Sequence, residues 1–318
     1  MAFLFQMLYV GLSPFNAPGV FSLLAATELT DGVWYPVGGF GKIRDEIEGA
    51  IQNDGVEVFK GIEVLGIVVD DGRVVGVRTS SGVVEADVVV SNRDLCSSYA
   101  LVEGDAATVQ YAEEKDTNLG ALEYSCGVVS YLFCVNKKLD GLIDHNVMIN
   151  ATESKRAWRP ARTAAELLEW PNCYIHCASK TDVSACPEGS ETVMVLLPVS
   201  NLQSMNPGDV EDLVRKGRRV VINAIVGATG DTSFEDHIVA ERTIDPIEWR
   251  ARCGLRHGAA FGLSHGLDQL SIFRPAAQDS AIANLFFVGA STRPGNGVPL
   301  VMIGARLVAE QIAEQYGP

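Results

Sequence analysis

The sequence predicts an α/β domain into which a second domain with a mixed or antiparallel sheet is inserted. Two observations lead to this prediction. Segments at about 33–92 and 283–318 combine apolar strands with amphipathic helices, which is the pattern of an α/β domain. Between them, from roughly 95 to 280, strands follow one another with few helices, as in a mixed or antiparallel sheet. A chain of 318 residues is long enough to hold both domains.

The first outer segment carries a diglycine turn, Gly38-Gly39, followed by a predicted helix of about 11 residues. Isoleucines recur on one face of that helix, at Ile43, Ile47 and Ile51. Strands come next, and Asp71-Gly72 and Ser81-Gly82 between them predict two tight hairpin turns. The apolar run Val88–Val90, before Ser91-Asn92, predicts a strand buried on both faces, as in a central parallel sheet.

The middle segment has three predicted strands and one long predicted helix. The strands are "GVVSYLFCVN", "NCYIHCAS" and "TVMVLLPVS". The helix begins near Asn206-Pro207, where proline suits the first turn, and continues through "VEDLVRKGRRVVINAIVG". The opening stretch "MAFLFQMLYVGL" has no positive region and no cleavage site, so it is not a predicted signal peptide. It is typical of a helix interior that lacks its beginning.

The charge of the chain argues against a nucleic-acid partner. The net charge is −15 and the isoelectric point about 4.7, so phosphate would be repelled. The one basic cluster, Arg215, Lys216, Arg218 and Arg219, is interpreted as a solvated helix face. No apolar run approaches the roughly 20 residues that span a bilayer.

The seven cysteines predict free thiols in a reducing compartment, because the number is odd and no pair has C-x-x-C spacing. Cys173, His176 and Cys177 lie close together, but on a strand both cysteines face one way and His176 the other. No metal site is therefore predicted. His257 and His265 lack metal-ligand spacing and a nucleophile partner, so packing or hydrogen bonding is favoured for them.

The stretch "LFFVGASTRPGNGVPLVMIGARLVAEQI", which starts at Leu285, predicts a strand, a loop of small residues and a helix from about Leu300 to Gln315. Small residues at 289–291 would let a ligand approach the backbone closely. Gly295 and Gly297 permit unusual backbone shapes, and the helix N-terminus favours negative charge on a ligand. A tight turn with glycines for packing alone is the alternative, because a lone glycine-rich loop is weak support for a site.

Taken with five other segments, this stretch resembles the bacterial and fungal phytoene desaturases, whose terminal signature reads roughly G-A-x-T-H-P-G-x-G-x-P. The resemblance covers essentially the whole chain and is closest to the fungal-type branch. The other segments are "LYVGLSPFNAPGVFSLLAATEL", "GVWYPVGGFGKI", "ADVVVSNRDL", "CPEGSETVMVLLPV" and "HGAAFGLSHGLDQLSIFRPAAQD".

The resemblance implies an FAD-binding, Rossmann-like domain of the amine-oxidase type with an inserted α+β substrate domain. Residues 1–32 would end the helical part of the substrate domain, 33–92 and 283–318 would belong to the FAD domain, and 93–282 would bind substrate. The implied reaction is desaturation of phytoene or a related carotenoid, with hydride transferred from the polyene to flavin. The implied location is peripheral on an intracellular membrane.

The resemblance also implies site residues. FAD would contact Val64, Gly289, Ala290, Ser291, Thr292, Arg293, Gly297, Val298, Pro299, Leu300 and Val301. Residues near the flavin or the substrate path would be Trp34, Tyr35, Gly38, Gly39 and Arg274. Catalytic residues are not identified, and Asp245, Glu248 and Asp279 are weak candidates for proton acceptors.

Two departures from the family pattern matter. Arg293 stands where the signature usually has histidine, so a special role for histidine does not transfer. The family's G-x-G-x-x-G βαβ unit, which holds the pyrophosphate, is not found in the chain. We therefore expect a C-terminal portion of a longer enzyme, inactive alone. The alternatives are a related carotenoid isomerase, carotenoid oxygenase or retinol saturase, or a non-catalytic fragment that pairs with an N-terminal partner.

Overall fold

The computed structural model describes residues 6–7, 12–152 and 154–317. Most of the opening apolar stretch, predicted to be a helix interior, lies outside the described residues. The strands are β1 (Val64–Asp70), β2 (Arg73–Thr79), β3 (Gly82–Glu85), β4 (Val89–Ser91), β5 (Val102–Glu103), β6 (Gly127–Val135), β7 (His145–Met148), β8 (Cys173–His176), β9 (Glu191–Val199), β10 (Ile238–Ile244) and β11 (Leu285–Phe287). The α-helices are α1 (Ser22–Asp31), α2 (Phe40–Asn53), α3 (Leu95–Tyr99), α4 (Ala106–Gly120), α5 (Ser154–Ala157), α6 (Val210–Thr229), α7 (Pro246–Cys253) and α8 (Val298–Tyr316).

The chain divides into two compact units. The first is built mainly from Ser13–Phe59 and Cys126–Ile247, and the second mainly from Lys60–Ser125 and Glu248–Pro318. Each unit has its own buried apolar cluster. The mixed α/β character that the sequence predicts is confirmed in both.

The first unit contains a five-stranded sheet in the order β10-β6-β9-β8-β7, and every neighbouring pair is antiparallel. Its centre is the long β6–β9 pair, which runs in register from Gly127↔Val199 to Val135↔Glu191. Side chains of β9 alternate between buried and half-buried, the period-2 pattern of a strand with one face on a core. The predicted antiparallel character and the three predicted strands are confirmed.

Helix α6 covers this sheet with an apolar stripe that includes Leu213, Val220 and Ile225, all with no exposed surface. A short 3-10 turn precedes it, and the Asn206 side chain caps that turn by accepting a bond from the Gly208 amide at 3.0 Å. Gly230 ends the helix in the left-handed conformation, at φ 71°. The predicted helix is confirmed.

The basic cluster on α6 is a solvated helix face whose four cations pair with carboxylates. Arg215 contacts Asp212, Arg218 contacts Glu235 and Glu241, and Lys216 and Arg219 both contact Glu169. Arg215 and Arg219 are mostly exposed, so these pairs stabilise the helix only weakly. The cluster is a solvated helix face, as the sequence predicts.

The second unit contains a four-stranded sheet, β3-β2-β1-β5, and a two-stranded parallel pair of β11 with β4. The two predicted hairpin turns are confirmed, since β1 and β3 both pair antiparallel with β2. Asp71 and Gly72 take positive φ values of 45° and 70°, which the turn requires. The prediction for Val88–Val90 is half right: β4 pairs in parallel, but Val90 is 45% exposed rather than buried on both faces.

The two units divide the chain differently from the predicted segments. Residues 33–59, which include α2, group with the first unit, and 93–125 and 248–282 group with the second. The reason is long-range pairing: β5 adds to β1 in parallel, with Ile67 opposite Val102. Tyr99 packs its ring on Phe287, 5.2 Å away. These contacts tie 93–125 to β1 and to β11, both of which belong to the second unit.

Glu191, at the start of β9, is a buried carboxylate with 1% of its surface exposed. Lys180 Nζ lies 2.9 Å from it, and the Ser179 hydroxyl and the Cys177 thiol donate to it. Burial raises the pKa of the Glu191 carboxyl, but these bonds lower it by more, so the pKa lies below its usual 4.5.

We expect Glu191→Gln to lower the free energy of unfolding at pH 7 by about 2 kcal/mol, because Lys180 loses its charged acceptor. Because the folded-state pKa is depressed, this contribution is present above pH 4.5 and is lost as the pH falls through that lowered pKa. Urea unfolding of the unchanged chain and of Glu191→Gln, from pH 7 down to pH 3, measures this difference in the free energy of unfolding. The matched control is Glu188→Gln, an exposed neighbour in the same loop. Equal midpoints for Glu191→Gln and the control would contradict the role of the carboxylate.

Candidate functional site

The candidate loop joins β11 to α8 in the second unit. Because β11 and β4 are parallel, their carboxyl ends meet at one edge, and the Val288 amide extends the ladder to the Ser91 carbonyl at 3.0 Å. Ligands of α/β proteins bind at this edge of a parallel sheet. A cleft of about 140 Å³ lies there, lined on one side by Asn92 and Asp94 and on the other by 288–292.

Three glycines of the loop have backbone conformations that other residues resist. Gly289, Gly295 and Gly297 take φ values of 117°, 140° and 101°. A Cβ on Gly295 would lie 2.7 Å from Nε2 of His265, and one on Gly289 would lie 3.3 Å from the Asn92 side chain. The loop therefore requires glycine for its shape, as the sequence predicts for Gly295 and Gly297.

The hydroxyls of the loop bond inside the protein. Ser291 donates to the Asp94 carboxylate at 2.8 Å, and Thr292 donates to the Gly289 carbonyl at 3.1 Å. Both side chains are buried, whereas Gly289 and Ala290 are half-buried. Ser291 and Thr292 thus set the loop's shape with their side chains, and a ligand in the cleft would meet the backbone of 289 and 290.

Arg293 is exposed and bonds to the segment before the loop. Its Nε donates to the Arg274 carbonyl at 2.9 Å, and a terminal nitrogen donates to the Ile272 carbonyl at 2.5 Å. Two of its donors are therefore used within the protein. A contact of Arg293 with FAD stays a prediction.

Arg274 lies inside the protein. Its side chain has no exposed surface, and burial lowers the pKa of the guanidinium to about 10. The guanidinium donates to five backbone carbonyls, those of Leu263, Ser264, Gln269, Ala290 and Thr292. The side chain therefore holds the loop together, and a contact of Arg274 with substrate stays a prediction.

The N-terminus of α8 faces the end of the loop. Gly297 is the N-cap residue and has no side chain to accept the first amides. Val298, Pro299 and Leu300 are exposed, and Val301 is half-buried. Free amides and the helix dipole at such an end stabilise negative charge on a ligand.

The remaining predicted residues lie elsewhere. Val64 begins β1 and is 39% exposed. Trp34, Tyr35, Gly38 and Gly39 belong to the first unit, where Trp34 is 86% exposed. The Gly38 amide donates to the Asp182 carboxylate at 2.7 Å. Their approach to a flavin or substrate stays a prediction, as does the contact of Val64 with FAD.

Sequence reasoning missed Asp94, which anchors Ser291. Two signals pointed to it: Asp94 belongs to the family segment "ADVVVSNRDL", and it lies in the polar run "SNRD" directly after an apolar strand. None of the described helices is both long enough and apolar enough to cross a membrane.

Comparison with known sequences gives the same family along the whole chain. The chain is 34% identical over 328 residues to a phytoene desaturase of Phycomyces blakesleeanus, covering 100% of this chain and 54% of that protein. It is 35% identical to a phytoene desaturase of Neurospora crassa, covering 99% and 54%. It is 37% identical to a zeta-carotene-forming phytoene desaturase of Myxococcus xanthus, covering 98% and 58%. The chain therefore spans about half the length of the curated relatives it matches. No protein-family model matches it.

Comparison with solved structures gives the fold. An oxidoreductase from Methanosarcina mazei superposes with a TM-score of 0.68 at 18% identity, over 97% of this chain and 64% of that one. A putrescine oxidase variant superposes with a TM-score of 0.56 at 12% identity, again over 97% and 64%. Identities this low establish a shared fold and nothing about the reaction.

Proposed function

We propose that this chain, which belongs by sequence to the phytoene desaturase family, is part of an FAD-dependent enzyme that desaturates phytoene or a related carotenoid. The observation that supports the proposal is the terminal signature: its glycines and anchored hydroxyls shape a loop that leads into the N-terminus of α8, where no side chain caps the helix. The flavin, when bound, would accept a hydride from the polyene.

The residues of the chain have separate tasks in this proposal. Gly289 and Ala290 would hold FAD through their backbone, and the first amides of α8 would favour negative charge on it. Asp94 and Arg274 hold the loop in shape through Ser291 and the backbone carbonyls. No catalytic acid or base is assigned.

Since the chain spans about half of its relatives, we propose that the FAD pyrophosphate is bound by the part of the enzyme that this chain does not match. Three apolar side chains on α8 support this proposal, because another part of the enzyme would cover them. Met302, Ile303 and Leu307 are 43–55% exposed. On this proposal the chain alone binds FAD weakly and has no desaturase activity. Peripheral membrane association would follow from an apolar polyene substrate.

A chimera tests the function. The part of the Phycomyces blakesleeanus enzyme that this chain does not match would be joined to this chain and expressed in a bacterium that accumulates phytoene. We expect coloured, desaturated carotenoids and a flavin absorption spectrum in the purified chimera. The chain alone should give neither. The natural full-length enzyme in the same host is the positive control.

Two matched glycine variants of the chimera localise the effect. Gly289→Val places a branched side chain at φ 117° on the flavin edge and should abolish both flavin retention and activity. Gly317→Val strains a glycine at φ 84° at the far end of α8 and should leave both intact. An inactive chimera beside an active positive control, or equal activity of the two variants, would contradict the proposal.

A further inference from the structure

Two histidines and an aspartate meet on one face of the first unit, at the edge of its sheet. Strands β7 and β8 place His145 directly opposite His176, and Asp144 precedes β7. The two imidazoles are nearly parallel, with ring centroids 4.9 Å apart. One ligand atom from each of the three side chains lies within 4.8 Å of the others.

Two of these ligand atoms are buried and lack a hydrogen-bond partner. Asp144 Oδ1 and His176 Nε2 lie 3.0 Å apart, an ion pair only when His176 is protonated, and neither atom makes a hydrogen bond of acceptable geometry. Buried polar atoms are usually satisfied, so this pair requires a physical explanation. A cation between them would satisfy the carboxylate oxygen and the nitrogen lone pair together.

Neighbouring side chains orient the three ligands. The Tyr174 hydroxyl bonds to Nδ1 of His145, which leaves Nε2 of that ring for a metal. The Thr181 hydroxyl donates to Oδ2 of Asp144 at 2.5 Å. Tyr35 packs edge-on against His176, with ring centroids 5.4 Å apart. Partners of this kind fix the ring orientation of metal-binding histidines.

The site is reachable and needs only small movements to close. The exposed fractions of the side chains are 22% for Asp144, 42% for His145 and 12% for His176. Bonds of about 2.1 Å in a tetrahedral zinc site place ligand atoms about 3.4 Å apart. Small displacements of the three side chains, with the bond between Tyr174 and His145 kept, would supply the difference. Cys173 and Cys177 are fully buried on the opposite face of the strand, so thiolates take no part.

We propose that Asp144, His145 and His176 bind a divalent first-row transition metal of the zinc type. Imidazole nitrogen and carboxylate oxygen are ligands that Zn²⁺ accepts, and three protein ligands leave one position for water. The ion would connect the edge strand β7 to β8 through the two histidines, and it would also hold Asp144, directly before β7. The inference does not depend on FAD or on desaturation.

Metal titration of the full chain tests the site. The chain, freed of metal by chelation, is titrated with Co²⁺ and followed by its visible absorption, and Zn²⁺ is then added to displace the cobalt. We expect one equivalent of Co²⁺ in an approximately tetrahedral nitrogen and oxygen site, without a thiolate charge-transfer band. His176→Ala and His145→Ala should each weaken binding at least about tenfold.

Two further variants keep the test decisive. Tyr174→Phe, which removes the hydroxyl on His145, should weaken binding by about tenfold while the histidines remain. His237→Ala is the matched control, because His237 lies in the same unit and bonds to Asn136. It should bind as the unchanged chain does. Absence of binding, a thiolate band, or equal binding by His145→Ala and His237→Ala would overturn the proposal.

Discussion

Arg274→Gln is expected to lower the free energy of unfolding of the second unit by about 4 kcal/mol, the cost of breaking a buried charged network. Arg274 has no exposed surface and donates to five carbonyls, two of them, Ala290 and Thr292, in the loop between β11 and α8. Glutamine is shorter and has only two N–H donors. Several buried carbonyls then lose their partners, and each costs about 1–3 kcal/mol.

Local hydrogen exchange provides the specific readout for this residue. Amides of 288–297 should exchange faster in Arg274→Gln than in the unchanged chain, because the carbonyls that fix the loop are released. Urea unfolding measures the global loss. Arg306→Gln removes an arginine that is 70% exposed and pairs with Glu310, so it should change neither measurement. Unchanged exchange in the loop of Arg274→Gln would show that the arginine does not hold it.

Arg274 shows which properties of a site residue can be predicted from sequence and which cannot. The resemblance of the segment that contains "FRPAAQD" implies a place for Arg274 near the flavin or the substrate path, and arginine side chains are usually exposed. Its burial depends on carbonyls at 263–264, 269, 290 and 292, which come together only in the folded chain. Local patterns carry no information about such a set.

Elements with a strong local signal were predicted well. The dipeptide Asp71-Gly72 favours a tight turn by itself. The apolar residues of β9 and α6 recur with the periods of a strand and a helix, so both elements can be predicted from sequence. Strands β7 and β10 were missed, because "HNVM" and "IVAERTI" are short or polar and form at the edges of the sheet. The missed strand β7 is the one that brings His145 opposite His176. The candidate metal site was hidden for that reason.

The second large effect is expected at Gly217, where α6 lies against the sheet. A Cβ at this position would lie 2.2 Å from the Tyr131 hydroxyl and 3.0 Å from a methyl of Leu197. Tyr131 has no exposed surface, and its hydroxyl donates to the Val214 carbonyl at 2.8 Å, so moving it breaks a buried bond. Gly217→Ala should therefore lower the free energy of unfolding by about 3 kcal/mol, although alanine is the better helix former.

A second variant at Gly227, ten residues further along α6, distinguishes the effect of packing on stability from the effect of helix propensity. A Cβ there would meet the Trp170 ring at 3.5 Å, an ordinary contact. Gly227→Ala should thus raise the free energy of unfolding by about 0.5–1 kcal/mol, the propensity gain alone. Urea unfolding followed by tryptophan fluorescence measures both variants, since Trp158 and Trp170 belong to this unit. If the two variants shifted the midpoint equally, close contact between α6 and Tyr131 would not be what makes glycine necessary at 217.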